Sequence, residues 1–557
     1  PLLAAFRTGR VLDGNGNTWI DAKEWWMHAY LVTNGTILTM DPSQPEVEAF
    51  GVIGEWIVSA GSLAEVEAAL PRGAGRIDLA GATCLPGFNE AHNHMLSFGF
   101  VLGQVNCRYP AVRSIEEIVA RFAERAERTP PGSWIRGRGY DDNTLTEHRH
   151  PTRWDLDRAS TTHPLVLVHS SGHMLVANSL ALQLAGVSRE TPDPPGGHIV
   201  RDEDGDPTGL LQENAMELIE RVIPAPTLED MVEALRRCND AYVAAGITSS
   251  QDAGLDDPQQ VEAFQRAVQR GLLRLRTSIM LRHQLLPHLL GLGIKQGFGD
   301  HHLRIGPVKL FADGSLIGRT AAVSRPFFDD PRPDNYGITI WSQEELDELV
   351  WQAHTAGFQV ATHAIGDRAI EMVLDAYERA LARLPRPDHR HRIEHCGVLR
   401  PDLIERIARL GVLVVSQPIF IAEYGDGFIR HLGLERIQLT YPFRSLLDAG
   451  IRLVFSTDCP VSTYQPLRCI QAAVQERTAS GRSYALEEAI TVEEALPLYT
   501  VNGAYASFEE HCKGMLRPGM LADFVVLERD PRRVDPEELA EIRVLRTVIG
   551  GETVYEA

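Results

Sequence analysis

The chain has little of what marks a secreted, membrane-spanning or nucleic-acid-binding protein. Its seven cysteines (84, 107, 238, 396, 459, 469 and 512) are odd in number, scattered and without a Cys-x-x-Cys pair. That argues against a disulfide framework and for a reducing compartment. No apolar run approaches the ~20 residues of a membrane span. Positive charge is also short, with 54 basic against 75 acidic residues and a net charge of −21. Such a balance disfavours nucleic acid or an anionic membrane as partner and is compatible with a small neutral or cationic substrate. Residues 1–26 lack an initiator Met and the apolar core of a signal peptide. We treat them as an N-terminal extension without assigned role and expect a cytoplasmic protein.

What is present is an ordinary globular composition, 44% hydrophobic and 23% charged over 557 residues. Short strand-like segments with Gly-containing turns open the chain ("AYLVTNGTILTM", "EAFGVIGEWIVSAG") and close it ("GMLADFVVLE", "IRVLRTVIGGETVYE"). Neither end suffices for a stable sheet, so residues 27–81 and 504–557 are expected to form one composite β-sandwich domain. Between them, apolar strands alternate with helical stretches, the pattern of parallel strands with crossover helices. Eight strands are predicted, at 82–88, 246–252, 273–281, 304–313, 358–364, 391–396, 411–418 and 451–458. The α/β class with a (β/α)8 TIM-like barrel over 82–503 follows. A large insertion at 97–245, after the first strand, is expected to shape substrate access.

Polar residues stand at the carboxyl ends of these strands. "LPGFNEAHNHM" supplies His92 and His94, strand four Lys309, strand five His363, strand six His395 and strand eight Asp458. Barrel enzymes build their sites at that end, and imidazoles with a carboxylate suit a borderline cation such as zinc. Each residue alone has an ordinary explanation. A histidine in an apolar strand is commonly a hydrogen-bonded core residue, Asp458 could cap a helix, and Lys309 could reach a surface carboxylate. Five strand ends in barrel order are much harder to ascribe to coincidence.

The order His-x-His, Lys, His, His, Asp resembles the amidohydrolase superfamily. "VKLFADGSLIGRTAA", "THAIGDRAI", "HRIEHC" and "FSTDCPV" are similar to its amidohydrolase family 3, the branch of YtcJ-like proteins and N-substituted formamide deformylases. The resemblance spans essentially residues 28–530, with Glu90 where many relatives carry Asp. It implies one metal on His92, His94 and Asp458 and a second on His363 and His395. Two zinc ions would be bridged by a carboxylated Lys309, with a single-metal site as the alternative if Lys309 stays unmodified. It further implies hydrolysis of a small-molecule carbon–nitrogen amide bond by a hydroxide held between the metals, with Asp458 as base and then acid.

Softer candidates are His173 in "SSGHM", for substrate or oxyanion contact, and Asp313, Arg319, Asp367 and Trp134 for substrate binding. Histidine, aspartate and tryptophan at such places are about as often structural. "GGHIVRDEDGDPTG" lacks the spacing of a calcium loop and reads as a hairpin turn. The alternatives to amide hydrolysis are deamination or cyclic-amide hydrolysis, and a non-catalytic regulator on a hydrolase scaffold. Deamination is disfavoured because "HAIGD" has no Glu after strand five. The expected partner is a small-molecule amide, with no nucleic acid and no membrane; homo-oligomerisation is left open.

Overall fold

The computed structural model describes residues 29–557, so the segment 1–26 lies outside the described residues. Eight strands make one sheet: β1 (Phe88–Asn93), β2 (Ile247–Leu255), β3 (Arg276–Arg282), β4 (Leu303–Phe311), β5 (Val360–Ala364), β6 (Arg392–His395), β7 (Leu413–Ser416) and β8 (Leu453–Phe455). They are hydrogen-bonded in that order, each parallel to the next. Parallel strands covered on both faces read as continuous apolar runs, which is why the pattern was visible in sequence. The covering helices begin and end as their sequences dictate. Helix Gln343–Thr355 opens on a Ser342/Glu345 capping box, and Pro401–Leu410 starts with proline and stops at Gly411, whose φ is 67°. Helix Asp367–Arg383 turns Ile370, Val373, Leu374, Tyr377 and Ala380 inward at helical spacing.

β8 and β1 share no ladder. The seam between them is instead closed one residue at a time. Asp458 N–H donates to the His92 carbonyl at 2.9 Å and His94 N–H to that of Cys459 at 2.8 Å. Thr457 N–H donates to Glu90 Oε1 at 2.8 Å. Glu90, standing where many relatives of the resembled family have Asp, is fully buried. Burial pushes its carboxyl up to about 8 against the lowering effect of the Thr457 bonds.

One predicted strand is corrected. The stretch 82–88 does not open the barrel. Thr83–Pro86 pairs with Ala29–Leu38 and with Phe524–Leu527 in a separate sheet, and β1 begins only at Phe88. Gly87 is the hand-over, because a Cβ there would lie 2.1 Å from the Thr248 side chain of β2. The second sheet is mixed and draws on both ends of the described chain. Its order is Glu552–Glu556, Val544–Ile549, Phe524–Leu527, Thr83–Pro86, Ala29–Leu38, Glu46–Ile53, Trp56–Gly61, with Gly75–Asp78 beside Ala29–Leu38. Phe50 meets Phe524 edge-on at 5.2 Å in its core. A buried ion pair, Arg276 Nε to Asp523 Oδ2 at 2.5 Å, ties β3 to this sheet.

Residues Gly99–Arg237 form a compact unit of their own, with a six-stranded sheet and helix Ile115–Glu127 packed on it. In this unit Gly197–Arg201 and Pro207–Glu213 are an antiparallel hairpin. Its acidic turn uses Asp202 Oδ1 to accept the Asp204 and Asp206 N–H groups. Among the described residues no helix is long and apolar enough to cross a membrane.

His389 and His391, leading into β6, and His354 on helix Gln343–Thr355 have their tautomers set by neighbours. His391 Nδ1 accepts the Val360 N–H at 3.0 Å, so the Nε2 proton points at His354 Nδ1, 2.8 Å away. His354 Nε2 in turn donates to the Leu384 carbonyl, and His389 Nε2 to that of Leu410. All three are neutral, with pKa values lowered chiefly by burial, His391 furthest. Below about pH 6.5 the unfolded chain takes up protons that the native chain refuses. Stability is therefore complete above that pH and falls beneath it, by up to about 1.4 kcal/mol per pH unit for each histidine. The melting temperature should drop between pH 7.5 and 5.5. His391→Asn should lower it at pH 7.5 yet flatten that dependence; an unchanged slope would refute the assignment.

Candidate metal centre

The carboxyl ends of β1, β4, β5, β6 and β8 bring together the six residues that strand order picked out. His92 is the fifth residue of β1, and His94 follows directly after the strand. Lys309 Nζ lies 3.4 Å from His92 Nε2. Asp458 Oδ1 lies 3.2 Å from His94 Nε2 and 3.6 Å from His92 Nε2. The His395 ring is 4.9 Å from that of His92 and 4.5 Å from that of His363. All but His94 and His363 are buried; the His363 side chain is 13% exposed and that of His94 31%.

Three of the four imidazoles are oriented by a hydrogen-bond partner on one ring nitrogen. His92 Nδ1 donates to the Glu394 carboxylate, His395 Nδ1 meets Gln417 Oε1 at 2.7 Å, and His363 Nε2 meets the Gly314 carbonyl at 2.9 Å. The other nitrogen of His395 and of His363 makes no hydrogen bond among the described residues, and His92 Nε2 faces Lys309 Nζ at 3.4 Å. Such outer contacts fix tautomer and ring plane in metal sites. Glu394 is itself held by Arg392, Nη2 to Oε2 at 2.9 Å. Arg392 also donates to Gln251 Oε1 and the Ala91 carbonyl, both at 2.7 Å.

The electrostatics suit a cation. Burial, with Lys309 and neighbouring histidines, holds His92 and His395 well below the ordinary imidazole range, and His363 falls to about 4. His94 is the exception: burial opposes its protonation, but the adjacent Asp458 carboxylate, 3.2 Å away, prevails and raises it. Burial lowers Lys309 to about 8 against the opposing charges of Glu394 and Asp458. A buried polar atom without a partner is the decisive observation. Asp458 Oδ1 has no hydrogen bond among the described residues, although it faces two imidazole nitrogens. His92, His395 and Asp458 each offer a ligand atom within 4.8 Å of the others. Neutral imidazoles and an orphaned carboxylate oxygen are the donor set that a divalent borderline cation takes.

The backbone is strained at the same place. His395, Cys396 and Asp458 have φ of 70°, 51° and 59°, a region costing non-glycine residues about 1–3 kcal/mol each and concentrated at functional sites. Cys396 and Cys459, beside two of these ligands, are buried thiols whose pKa burial raises.

The softer candidates are dispersed. Asp313 accepts the N–H groups of Ala322, Ile365 and Gly366 at 2.8–3.0 Å, and this carboxylate joins the loops after β4 and β5. Burial raises it to about 7. Asp367 accepts from Ser324 N–H at 2.8 Å and pairs with Arg400. Arg319 is 3.7 Å from Asp329 and 3.5 Å from Asp330. Thus all three engage neighbouring protein groups. His173 and Trp134 belong to the 99–237 unit. There His173 is exposed and 3.0 Å from Glu213, and Trp134 packs partly buried against that unit's core. Sequence reasoning missed Glu394, Arg392, Gln251 and Gln417. The Arg-x-Glu of "HRIEHC" was a usable signal, since alternation puts two charges on one face of an apolar strand.

A profile of the amidohydrolase family matches residues 76–555. The chain is similar to YtcJ of Bacillus subtilis, 34% identical over 86% of this chain and 90% of that protein. It is also similar to the N-substituted formamide deformylase of Arthrobacter pascens, 32% identical over 95% and 99%. Among solved structures, a metal-dependent hydrolase from Pyrococcus horikoshii is 29% identical, with a TM-score of 0.76 over 91% of this chain and 99% of that one.

Proposed function

The chain belongs to the amidohydrolase family and is a metal-dependent hydrolase acting on carbon–nitrogen bonds, and from that premise we propose that it cleaves the amide bond of a small molecule, N-substituted formamides first among them. The Asp458 Oδ1 without a hydrogen bond, set among four converging imidazoles of which three are held neutral, carries this reading. A scaffold turned regulator would be free to lose such ligands.

In the proposal His92, His94 and Asp458 would hold one divalent cation, zinc in this reading, and His363 and His395 a second, with Lys309, as a carbamate, a further ligand. When bound, the metals supply a Lewis acid for the amide carbonyl and lower the pKa of water from 15.7 to about 7. The rest is done by the chain. Asp458 accepts the proton of the attacking water and returns it to the leaving nitrogen, so that the amine departs neutral. Glu394 and Gln417 keep His92 and His395 turned toward the centre. Lys309, lowered by burial, has a neutral amine accessible at mildly alkaline pH, the form that reacts with carbon dioxide. Seven free, buried cysteines among the described residues support a reducing, cytoplasmic setting.

The test is amine release by the zinc-loaded protein from matched N-formyl, N-acetyl and longer N-acyl arylalkylamines. We expect kcat/KM for the formyl compound to exceed that for the acetyl by at least tenfold. Turnover confined to longer acyl groups would discard formamides, and silence across the series would overturn amide hydrolysis.

A further inference from the structure

One strong cation above the barrel has a single long ion pair and a buried N–H without an acceptor. Arg282 closes β3 in register with Lys309 of β4. Its guanidinium lies over the Phe311 ring, 4.7 Å from Cζ to centroid. Lys309 Nζ lies 4.9 Å from the same centroid, and the ring is stacked on His363 at 5.2 Å with planes 29° apart. A single aromatic side chain therefore links Arg282 to two residues of the metal centre.

A guanidinium carries five N–H donors. Among the described residues Arg282 donates none of them to a protein acceptor: its buried Nε has no partner, and the nearest acid, half-exposed Asp256, is 3.6 Å from Nη1. Two other arginines of the barrel are more fully engaged, whereas Arg319, like Arg282, has only acids at 3.5–3.7 Å. Arg390 pairs with Asp388 and Glu510, and Arg400 with Asp367, Glu371 and Asp402. A second unpartnered donor stands nearby. Trp341 packs edge-on against His283, the residue after Arg282, at 5.4 Å, and its buried Nε1 has no acceptor. Ile340 N–H, bonded to the Ala312 carbonyl at 2.9 Å, anchors this stretch beside the end of β4.

Leaving a buried donor unmade costs about 1–3 kcal/mol, and native structures tolerate that chiefly where a ligand or water completes the bond. Stacking on Phe311 presents the guanidinium in a fixed plane, the arrangement that favours a planar carboxylate held by two parallel bonds. With Asp256 close by, one positive charge suits a single negative charge better than a dianion.

We propose that Arg282 is a specificity-determining residue that anchors a carboxylate on the substrate, so that the preferred substrates are amides carrying a carboxylate away from the scissile bond. The choice of amides rests on the amide-hydrolase reading; the carboxylate anchor does not. It also refines the expectation from net charge, because a local guanidinium overrides a distant negative field.

The test uses the full zinc-loaded chain with N-formyl-β-alanine, N-formyl-4-aminobutyrate and their uncharged primary amides. Binding is read by calorimetry and turnover by amine release. The carboxylates should bind at least tenfold more tightly than the matched amides. Arg282→Met should bring that ratio to about one, raising KM for the carboxylates while kcat stays within about twofold. Arg282→Lys should retain part of the preference, and Asp256→Asn, which removes a competing acid, should enlarge it. Equal affinity for both series in the unaltered protein, or a preference that survives Arg282→Met, overturns the proposal. Arg282-dependent carboxylate binding without hydrolysis of any amide would uphold the anchor and sink the amide reading. Hydrolysis of charged and neutral amides alike, indifferent to Arg282, would do the reverse.

Discussion

Asp458→Asn should lower kcat by about 10²- to 10⁴-fold, the range that positioned proton transfer contributes, while the protein remains folded. The side-chain oxygen concerned makes no hydrogen bond to the protein, so an amide in its place breaks none. The backbone N–H that closes the barrel seam on the His92 carbonyl is untouched by the change. Melting temperature should therefore move by only a few degrees in the metal-free protein. Rates of amine release, measured alongside metal content, separate loss of proton transfer from loss of metal. Activity within tenfold of the unaltered enzyme at full metal content would refute the role assigned to this residue.

Arg392→Met should be the most destabilising change in the site, costing about 3–5 kcal/mol, because it leaves a fully buried carboxylate without its cation. Arg392 and Glu394 are both inaccessible to solvent, and the arginine also satisfies Gln251 and the Ala91 carbonyl. The double variant Arg392→Met/Glu394→Gln should recover part of that loss, since neither remaining group is then charged. Urea unfolding of the two variants reads the difference. A single variant within 1 kcal/mol of the parent would mean that Glu394 is neutral in the native protein. Either variant should also bind zinc more weakly, by about 10- to 100-fold, through the freed His92 ring.

The barrel was legible because eight apolar runs alternated with capped helical stretches, and the six central residues because each is a polar interruption at the end of such a run. The misplaced first strand has a specific cause. "TCLPGF" is apolar throughout, and periodicity alone cannot reveal that Pro86-Gly87 passes the chain from one sheet to another. Asp313 and Asp367 show a different limit. An acid just beyond a barrel strand reads the same whether it faces a substrate or collects backbone N–H groups from the next loop; both collect such N–H groups here, and Asp313 also stands 3.5 Å from His363. Arg392 and Glu394 were overlooked because inward charges in an apolar strand make sense only when the partner, His92 on a strand some three hundred residues earlier, is seen across the barrel.

The strand Thr83–Pro86 has a further consequence for synthesis. One of its edges is covered by Ala29–Leu38, which emerges before it, but the other waits for Phe524–Leu527, made more than four hundred residues later. Until then a nascent chain exposes an apolar strand edge next to the segment that starts the barrel, and such edges template self-association. A ribosome stalled anywhere in the intervening stretch would carry that edge bare. The later strand thus serves the growing polypeptide as well as the finished fold, by covering an edge that would otherwise stay open.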